Sequence, residues 1–131
     1  MSKRVVITGI GALTPIGNTI SSFLEGLQSG VSGAGKITRF NADGFRTNFA
    51  CEVKNFNAED FLEKKEARRI DPYAQYAMVV AEQAILDSGI NLDTVDKSRV
   101  GVIWGSGIGG FTTFEEEIEG AGRAVGVPKY S

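Results

Sequence analysis

The sequence predicts an α/β protein built on a parallel sheet, because short β-branched runs alternate with amphipathic helical patterns. Two runs are read as buried strands, residues 4–8 (RVVIT) and residues 100–104 (VGVIW). A third candidate, residues 48–54 (NFACEVK), alternates apolar and polar side chains. Parallel sheets are normally covered on both faces, so a sheet of about three strands is expected to be incomplete.

Two helices are predicted in the first half of the chain. Asn18 is placed to cap one helix, and Gly30 is placed to end it. Its apolar face is expected to consist of Ile20, Phe23, Leu24 and Leu27. Asn57, followed three residues later by Asp60, resembles a capping box and predicts a short second helix. The intervening residues 30–46 are glycine-rich and polar, which indicates a surface connection.

Two further helices are predicted in the second half. The pair Asp71–Pro72 is a strong helix start, and Ser88–Gly89 is the expected stop. The inward face of this helix is expected to consist of Tyr73, Ala77, Val80, Ala81, Ala84 and Ile85. Thr113 and Glu116 predict a capped final helix. Its expected inward residues are Phe114, Ile118 and Ala121.

Composition excludes several classes of function. A net charge of −2 argues against a nucleic-acid partner, and no apolar run approaches the length of a membrane span. The chain has no histidine, which excludes a histidine-based triad or metal site within it. Its single cysteine, Cys51, can form neither an internal disulfide nor a structural zinc site, so no metal and a cytoplasmic location are expected.

The opening stretch VVITGIGALTPIG suggests a dinucleotide-binding turn, but the pattern fails at its third position. Gly9 and Gly11 fit the spacing of that motif, whereas Thr14 stands in place of the third glycine and Pro15 follows it. No acidic ribose ligand appears about twenty residues further on, and no glycine–lysine–serine or –threonine loop is present. No nucleotide cofactor is therefore expected, and the glycines are read as allowing a tight approach to neighbouring backbone.

A second glycine-rich loop, GSGIGG at residues 105–110, contains one large side chain, Ile108. Flanking glycines leave the backbone free to adopt several conformations. Two interpretations remain open on composition alone. Ile108 either moves between positions for a functional purpose or fills the core beside a tight turn.

Four segments, in order and spacing, resemble the N-terminal part of the β-ketoacyl-acyl carrier protein synthase II family, the elongating condensing enzymes of bacterial fatty acid synthesis. They are VVITGIGALTPIGN, FACEVKNFN, KKEARRIDPYAQYA and GVIWGSGIGGF. The resemblance implies a thiolase-like fold, with α/β/α/β/α layers and two related halves. Residues 1–131 are then expected to form only the beginning of the N-terminal half, less than a third of such an enzyme.

The resemblance also implies an activity. Members of this family are acyltransferases that lengthen acyl chains by a decarboxylating Claisen condensation, using a nucleophilic cysteine and two histidines and no cofactor. None of these catalytic residues is expected within the 131 residues, so the segment alone should be inactive. Cys51 has apolar neighbours and no accompanying base, and it is read as a small strand residue.

The site residues implied by the resemblance concern specificity and docking. Ile108 corresponds to an isoleucine that lines and gates the acyl pocket. Lys65, Arg68 and Arg69, with Lys129 as a weaker candidate, correspond to basic residues that dock the acidic acyl carrier protein. At i, i+3 and i+4 the first three would share one helix face, although such a cluster is also typical of a solvated surface.

The family is homodimeric, and Phe114 and Ile118 could contact a partner subunit or the core. Two other functions remain open. One is a polyketide ketosynthase or its inactive chain-length partner, which shares the fold. The other is a small α/β nucleotide-binding module complete at 131 residues. If the ketosynthase interpretation is right, the piece should expose apolar surface and tend to aggregate.

Overall fold

The structure is a computed structural model in which residues 3–123 are described. It contains four α-helices: α1 (Ile20–Gln28), α2 (Lys64–Ala67), α3 (Pro72–Ser88) and α4 (Phe111–Arg123). The two strands are β1 (Gly35–Lys36) and β2 (Phe49–Ala50). Short 3-10 helices cover Ala58–Asp60 and Lys97–Arg99.

The sheet found among these residues is a small antiparallel pair. Gly35 lies opposite Ala50, and Lys36 lies opposite Phe49. The strand expected over residues 48–54 is therefore reduced to two residues, and the predicted parallel sheet does not form within residues 3–123. The alternation in the sequence identified the right segment but did not reveal its partner.

Neither of the two β-branched runs forms a strand in the described part of the chain. Their side chains are strongly exposed, with Val5 at 94% and Ile103 at 98% of full accessibility. A strand is stable only when a second segment satisfies its backbone hydrogen bonds, and that segment can be distant in sequence. Residues 4–8 and 100–104 have strand-like composition, but they find no such partner within residues 3–123.

The segment after the first of these runs lies across α3. The N–H of Ile10 donates to Asp87 Oδ2 at 2.9 Å, and the N–H of Ala12 donates to Gln83 Oε1 at 2.9 Å. The Gln83 amide also donates to the carbonyl of Asn18 at 3.0 Å. Side chains of α3 thus accept backbone N–H groups of this segment, as the carbonyl groups of a neighbouring strand would do in a sheet.

Gly9 and Gly11 allow this close approach. A Cβ at Gly9 would lie 2.2 Å from the carbonyl oxygen of Ala84, and one at Gly11 would lie 2.2 Å from that of Val80. Both distances are far inside van der Waals contact. The glycines pack the chain against a helix, as the tight-approach interpretation predicts.

The helix ends agree with local sequence signals, with one shift at α1. The N-cap of α1 is Thr19, which forms a reciprocal capping box with Ser22. The predicted cap, Asn18, instead donates to the carbonyl of Lys54 at 2.8 Å. Gly30 and Gly89 both have left-handed φ angles, +63° and +65°, just after α1 and α3, as expected.

The core of the described residues is small, and its buried apolar members are Ala12, Ala42, Ala58, Ala67 and Val79. Val79, at 1% exposure, was not among the residues expected to face inward. The inward placement expected for Tyr73, Ile85, Phe114 and Ile118 was wrong for the described residues, since all four are exposed. The expectation of exposed apolar surface is confirmed. Among residues 3–123, no helix has the length and apolar character needed to span a bilayer.

Candidate functional site

Three segments meet at a cleft of about 360 Å³ beside the start of α3. Residues 51–53, just after β2, form one wall, and the first turn of α3 forms another. The third wall is residues 108–112, which lead into α4. Its apolar lining includes Val53, Pro72, Tyr73, Tyr76, Ile108 and Phe111. This region is called the cleft below.

Ile108 borders the cleft and is 74% exposed. The interpretation in which Ile108 fills the core is therefore wrong for the described residues. The next residue, Gly109, lies so close to the Tyr73 ring that an added Cβ would be 3.1 Å from it. The loop backbone is thus packed on an aromatic side chain, while the isoleucine remains free to contact a ligand in the cleft.

Asp71 connects the starts of two helices. Its backbone carbonyl accepts from the N–H groups of Ala74 and Gln75 at 2.9 and 3.1 Å, which begins α3 as the Asp–Pro pair predicts. Its carboxylate makes no capping bond to α3. It accepts instead from the backbone N–H of Thr113 at 3.4 Å and from the Thr113 hydroxyl at 2.5 Å.

The predicted role of Thr113 is corrected by this contact. Helix α4 begins at Phe111, so Thr113 lies within its first turn rather than at its cap. The carboxylate that accepts its N–H belongs to a residue 42 positions earlier. Sequence spacing gave no signal for the pair, because Asp71 already had a complete local interpretation as the cap of α3.

Glu52, on the opposite wall, carries a perturbed carboxyl group. The Thr38 hydroxyl donates to Glu52 Oε2 at 2.7 Å, and the Thr38 N–H donates to Oε1 at 3.1 Å. These hydrogen bonds, the hydroxyl first, hold the pKa of Glu52 below its ordinary value, and Arg39 adds a smaller favourable charge. An ionised carboxylate is therefore kept at the edge of the cleft.

This lowered pKa predicts a pH dependence. The pKa of Glu52 is lower in the folded chain than in the unfolded chain. Ionised Glu52 therefore stabilises the fold fully at pH values above the ordinary glutamate pKa, and this stabilisation is lost as the pH falls through the folded pKa. In an NMR titration, the Thr38 amide shift should follow Glu52 with a midpoint below that of free glutamate. Thr38→Val should move the Glu52 midpoint upward. An unchanged midpoint would show that Thr38 is not the cause.

Cys51 differs from its expected environment. It follows β2 rather than lying within it, and its side chain is exposed at the border of the cleft. The prediction of a strand residue was therefore wrong. Only two residue pairs form the ladder, so β2 ends at Ala50.

The basic surface, defined as Lys65, Arg68 and Arg69, is exposed but does not lie on one helix. Helix α2 contains only Lys64–Ala67, with Arg68 as its C-cap. A proline disfavours helical geometry at the residue before it. Asp71, which precedes Pro72, accordingly has an extended ψ of 153°. The helix therefore ends early, and the two arginines lie on the turn between α2 and α3.

Within the basic surface the charges are not equivalent. Arg68 Nε lies 3.4 Å from Glu59 Oε1, and the neighbouring Lys64 lies 3.3 Å from Glu59 Oε2. No residue from 3 to 123 forms an ion pair with Lys65 or Arg69. These two cations are the ones available to an acidic partner. The weaker candidate, Lys129, lies outside the described residues.

Over the described range, no three His, Cys, Asp or Glu side chains are grouped as metal ligands. The cleft instead combines an apolar wall with the ionised Glu52 and with Arg39, which donates to the Tyr76 hydroxyl at 2.8 Å. Such a lining suits an apolar chain with a polar end.

Comparisons with known proteins assign the chain to a family. Residues 2–128 match the family model described as "Beta-ketoacyl synthase, N-terminal domain". The chain is similar to 3-oxoacyl-[acyl-carrier-protein] synthase 2 of Staphylococcus aureus (strain COL), at 49% identity over 114 residues. It is 44% identical over 115 residues to the synthase of the same name from Synechocystis sp.. These alignments cover 87% and 88% of this chain but only 28% of each relative.

Solved structures agree with the family match. One, a type II polyketide ketosynthase in complex with its acyl-carrier protein (AntDE:AntF), has a TM-score of 0.71 and 28% identity. It covers 93% of this chain and 31% of that one. The ishigamide ketosynthase/chain length factor has a TM-score of 0.59 and 35% identity, and the match covers 67% of this chain and 22% of that one. The thiolase-like fold class implied by the resemblance is confirmed by these neighbours, and the chain belongs to the β-ketoacyl synthase N-terminal domain family.

Proposed function

We propose that these residues supply the acyl gate and part of the carrier-docking surface of a 3-oxoacyl-[acyl-carrier-protein] synthase. The observation that carries this proposal is the 49% identity, across 87% of the chain, to a synthase of that name. The chain spans about 28% of the length of such relatives. The residues are proposed to form the beginning of the first half of the enzyme, called the full-length synthase below.

The proposed reaction extends an acyl chain by two carbons. An acyl group is first held as a thioester on an enzyme cysteine. The malonyl group on the carrier protein loses CO₂, and the resulting carbanion attacks the acyl thioester carbonyl. A carbon–carbon bond forms, the cysteine thiolate leaves, and the product is a 3-oxoacyl carrier protein. The 131 residues contain no histidine, and the nucleophile and both histidines are assigned to the rest of the enzyme.

Ile108 is proposed to limit the length of the acyl chain. Its side chain borders the apolar cleft and is not buried by other described residues. Gly105 and Gly107, which precede it, have nothing within 4 Å of a Cβ position and leave the backbone on that side conformationally free. An acyl chain passing through the cleft would contact Ile108 directly.

The basic surface is proposed to bind the carrier protein. Its exposed charges suit an acidic partner, and Lys65 and Arg69 are not engaged by other described residues. A related ketosynthase of known structure is in complex with its acyl-carrier protein. Electrostatic complementarity of this kind mainly increases the association rate and weakens with salt.

The proposed function is tested directly in the full-length synthase. Purified enzyme is given an acyl carrier protein and malonyl carrier protein, and the products are identified by mass spectrometry. The expected result is a 3-oxoacyl carrier protein two carbons longer, with one CO₂ released for each turnover. Absence of condensation with every primer length would refute the proposal.

The docking proposal gives a separate prediction. Lys65→Glu/Arg69→Glu is expected to raise the apparent KM for carrier-bound substrate about tenfold at low salt, by reversing two charges that form no ion pair among the described residues. The KM for a small thioester analogue should not change. Lys97→Glu, a charge reversal on the 3-10 helix outside the basic surface, is the matched control. An equal loss with both substrates would contradict docking.

A second candidate is a polyketide ketosynthase or its chain-length partner. One solved structure described above is a type II polyketide ketosynthase and the other is a ketosynthase/chain length factor, which favours this alternative. The two functions differ in their products. Release of a single 3-oxoacyl product supports fatty acid elongation, whereas repeated extension without release supports polyketide synthesis.

Assembly as a homodimer in the cytoplasm is proposed as well. Phe114 and Ile118 of α4 are both more than half exposed and are candidates for a subunit interface. Light scattering of the full-length synthase should give the mass of two chains. A monomeric mass would refute the dimer.

A further inference from the structure

The start of α4 depends on a side chain from another helix. The first N–H groups of an α-helix have no partner within the helix and are usually satisfied by a local cap. The Thr113 N–H donates instead to the carboxylate of Asp71, which also accepts from the Thr113 hydroxyl. A negative charge there also favours the positive end of the α4 dipole.

The same end of α3 contacts the loop that precedes α4. The Tyr73 ring lies against Gly109, within 3.1 Å of where a Cβ would be. The Asp71 carboxylate lies 3.6 Å from the corresponding position at Gly110, whose φ is +68°. Two residues of one rigid element, Asp71 and Tyr73, thus contact three positions of the segment between residues 109 and 113.

Ile108 directly precedes this clamped segment. Residues 101, 105 and 107 are glycines with nothing within 4 Å of a Cβ position, so the N-terminal side of the loop has no comparable contact. Among residues 3–123, the close contacts that hold the loop therefore lie on the C-terminal side of Ile108. Where Ile108 rests in the cleft depends on where Asp71 and Tyr73 hold the residues that follow it.

We infer that Asp71 is a positioning residue for acyl-chain length, because its hydrogen bonds to Thr113 fix the segment that carries Ile108 at the cleft. This inference rests on the proposed function and adds to it a residue at the border of the cleft that acts by holding the loop. Loss of the contact frees the loop, and Ile108 moves away from the cleft more easily. Long acyl chains are then accepted more readily relative to short ones.

The experiment compares Asp71→Ala with Asp71→Asn and Thr113→Val. The alanine variant removes both hydrogen bonds, whereas asparagine keeps a carbonyl acceptor of the same reach. Asp87→Ala is the matched control, since Asp87 also accepts a backbone N–H, from Ile10 at 2.9 Å, at the far end of the same helix. The first readout is the ratio of kcat/KM for a long primer to that for a short primer in the full-length synthase.

Asp71→Ala is expected to raise this ratio about tenfold, the size of effect typical of losing a charge-assisted hydrogen bond. Thr113→Val removes only the hydroxyl bond and should raise the ratio by less, and adding it to Asp71→Ala should change little, because Asp71→Ala already breaks both bonds. Asp71→Asn should restore most of the original ratio, and Asp87→Ala should leave it unchanged. A shift of equal size in Asp87→Ala would overturn the inference.

The second readout needs no catalysis. Amide hydrogen exchange of the full-length synthase should become faster at residues 111–113 in Asp71→Ala and remain unchanged there in Asp87→Ala. Faster exchange with an unaltered chain-length ratio would refute the positioning role while leaving the proposed condensation intact. A wild-type enzyme that condenses no primer would refute the proposed function, and the exchange result would still report on the clamp.

Discussion

Ile108→Phe is expected to prevent the full-length synthase from elongating long acyl chains while short chains are still extended. The side chain borders a cleft of about 360 Å³ that already contains Tyr73 and Phe111. A phenyl ring would occupy space that a long chain needs, and once the chain fills the cleft the overpacking costs about 1–3 kcal/mol. The kcat/KM for long primers should fall about a hundredfold.

Competition between a long and a short primer in one reaction measures this effect. Ile108→Val is the matched control, because the smaller side chain leaves the cleft open and should preserve use of long primers. Equal turnover of both primers by Ile108→Phe would show that Ile108 does not limit chain length.

Gly11→Ala is expected to give a large loss of stability. Its Cβ would lie 2.2 Å from the Val80 carbonyl oxygen, which is part of the α3 backbone and cannot rotate away. The segment would have to separate from α3, which breaks the bond between the Ala12 N–H and Gln83 at 2.9 Å. A loss of about 2–3 kcal/mol is expected, which lowers the thermal midpoint by several degrees.

Circular dichroism melts of the variant and the parent chain measure this difference. Gly101→Ala is the control, because nothing lies within 4 Å of its Cβ position and its φ is not left-handed. If the Gly11→Ala and Gly101→Ala variants have the same thermal midpoint, the close approach of residues 9–12 to α3 does not contribute to stability.

Helix boundaries were predictable because their causes are local. A helix that ends in a left-handed residue needs only one glycine just after its last turn. Gly30 and Gly89 both adopt this geometry. Pro72 fixes its own φ angle and starts α3 where the Asp–Pro pair indicated. The shift of the first cap from Asn18 to Thr19 is of the same kind, since both side chains can cap and the side chain of Asn18 donates to residue 54 instead.

Contacts between distant segments were not predictable, because no local pattern specifies them. The runs at 4–8 and 100–104 have strand composition, yet pairing depends on segments that the local sequence does not name. Asp71 had a sufficient local role, so nothing indicated that its carboxylate would bind Thr113. The basic surface was identified by composition, whereas its division between a paired Arg68 and an available Arg69 follows from the position of Glu59.

The two hydrogen bonds made by the Gln83 side chain limit which residues can replace it. Its Oε1 accepts the Ala12 N–H at 2.9 Å while its Nε2 donates to the Asn18 carbonyl at 3.0 Å. Glutamate would lose the donor, lysine would lose the acceptor, and asparagine is shorter by one methylene. A replacement at residue 83 therefore keeps both bonds only if it supplies a donor and an acceptor at the same reach, and side-chain volume alone does not decide it.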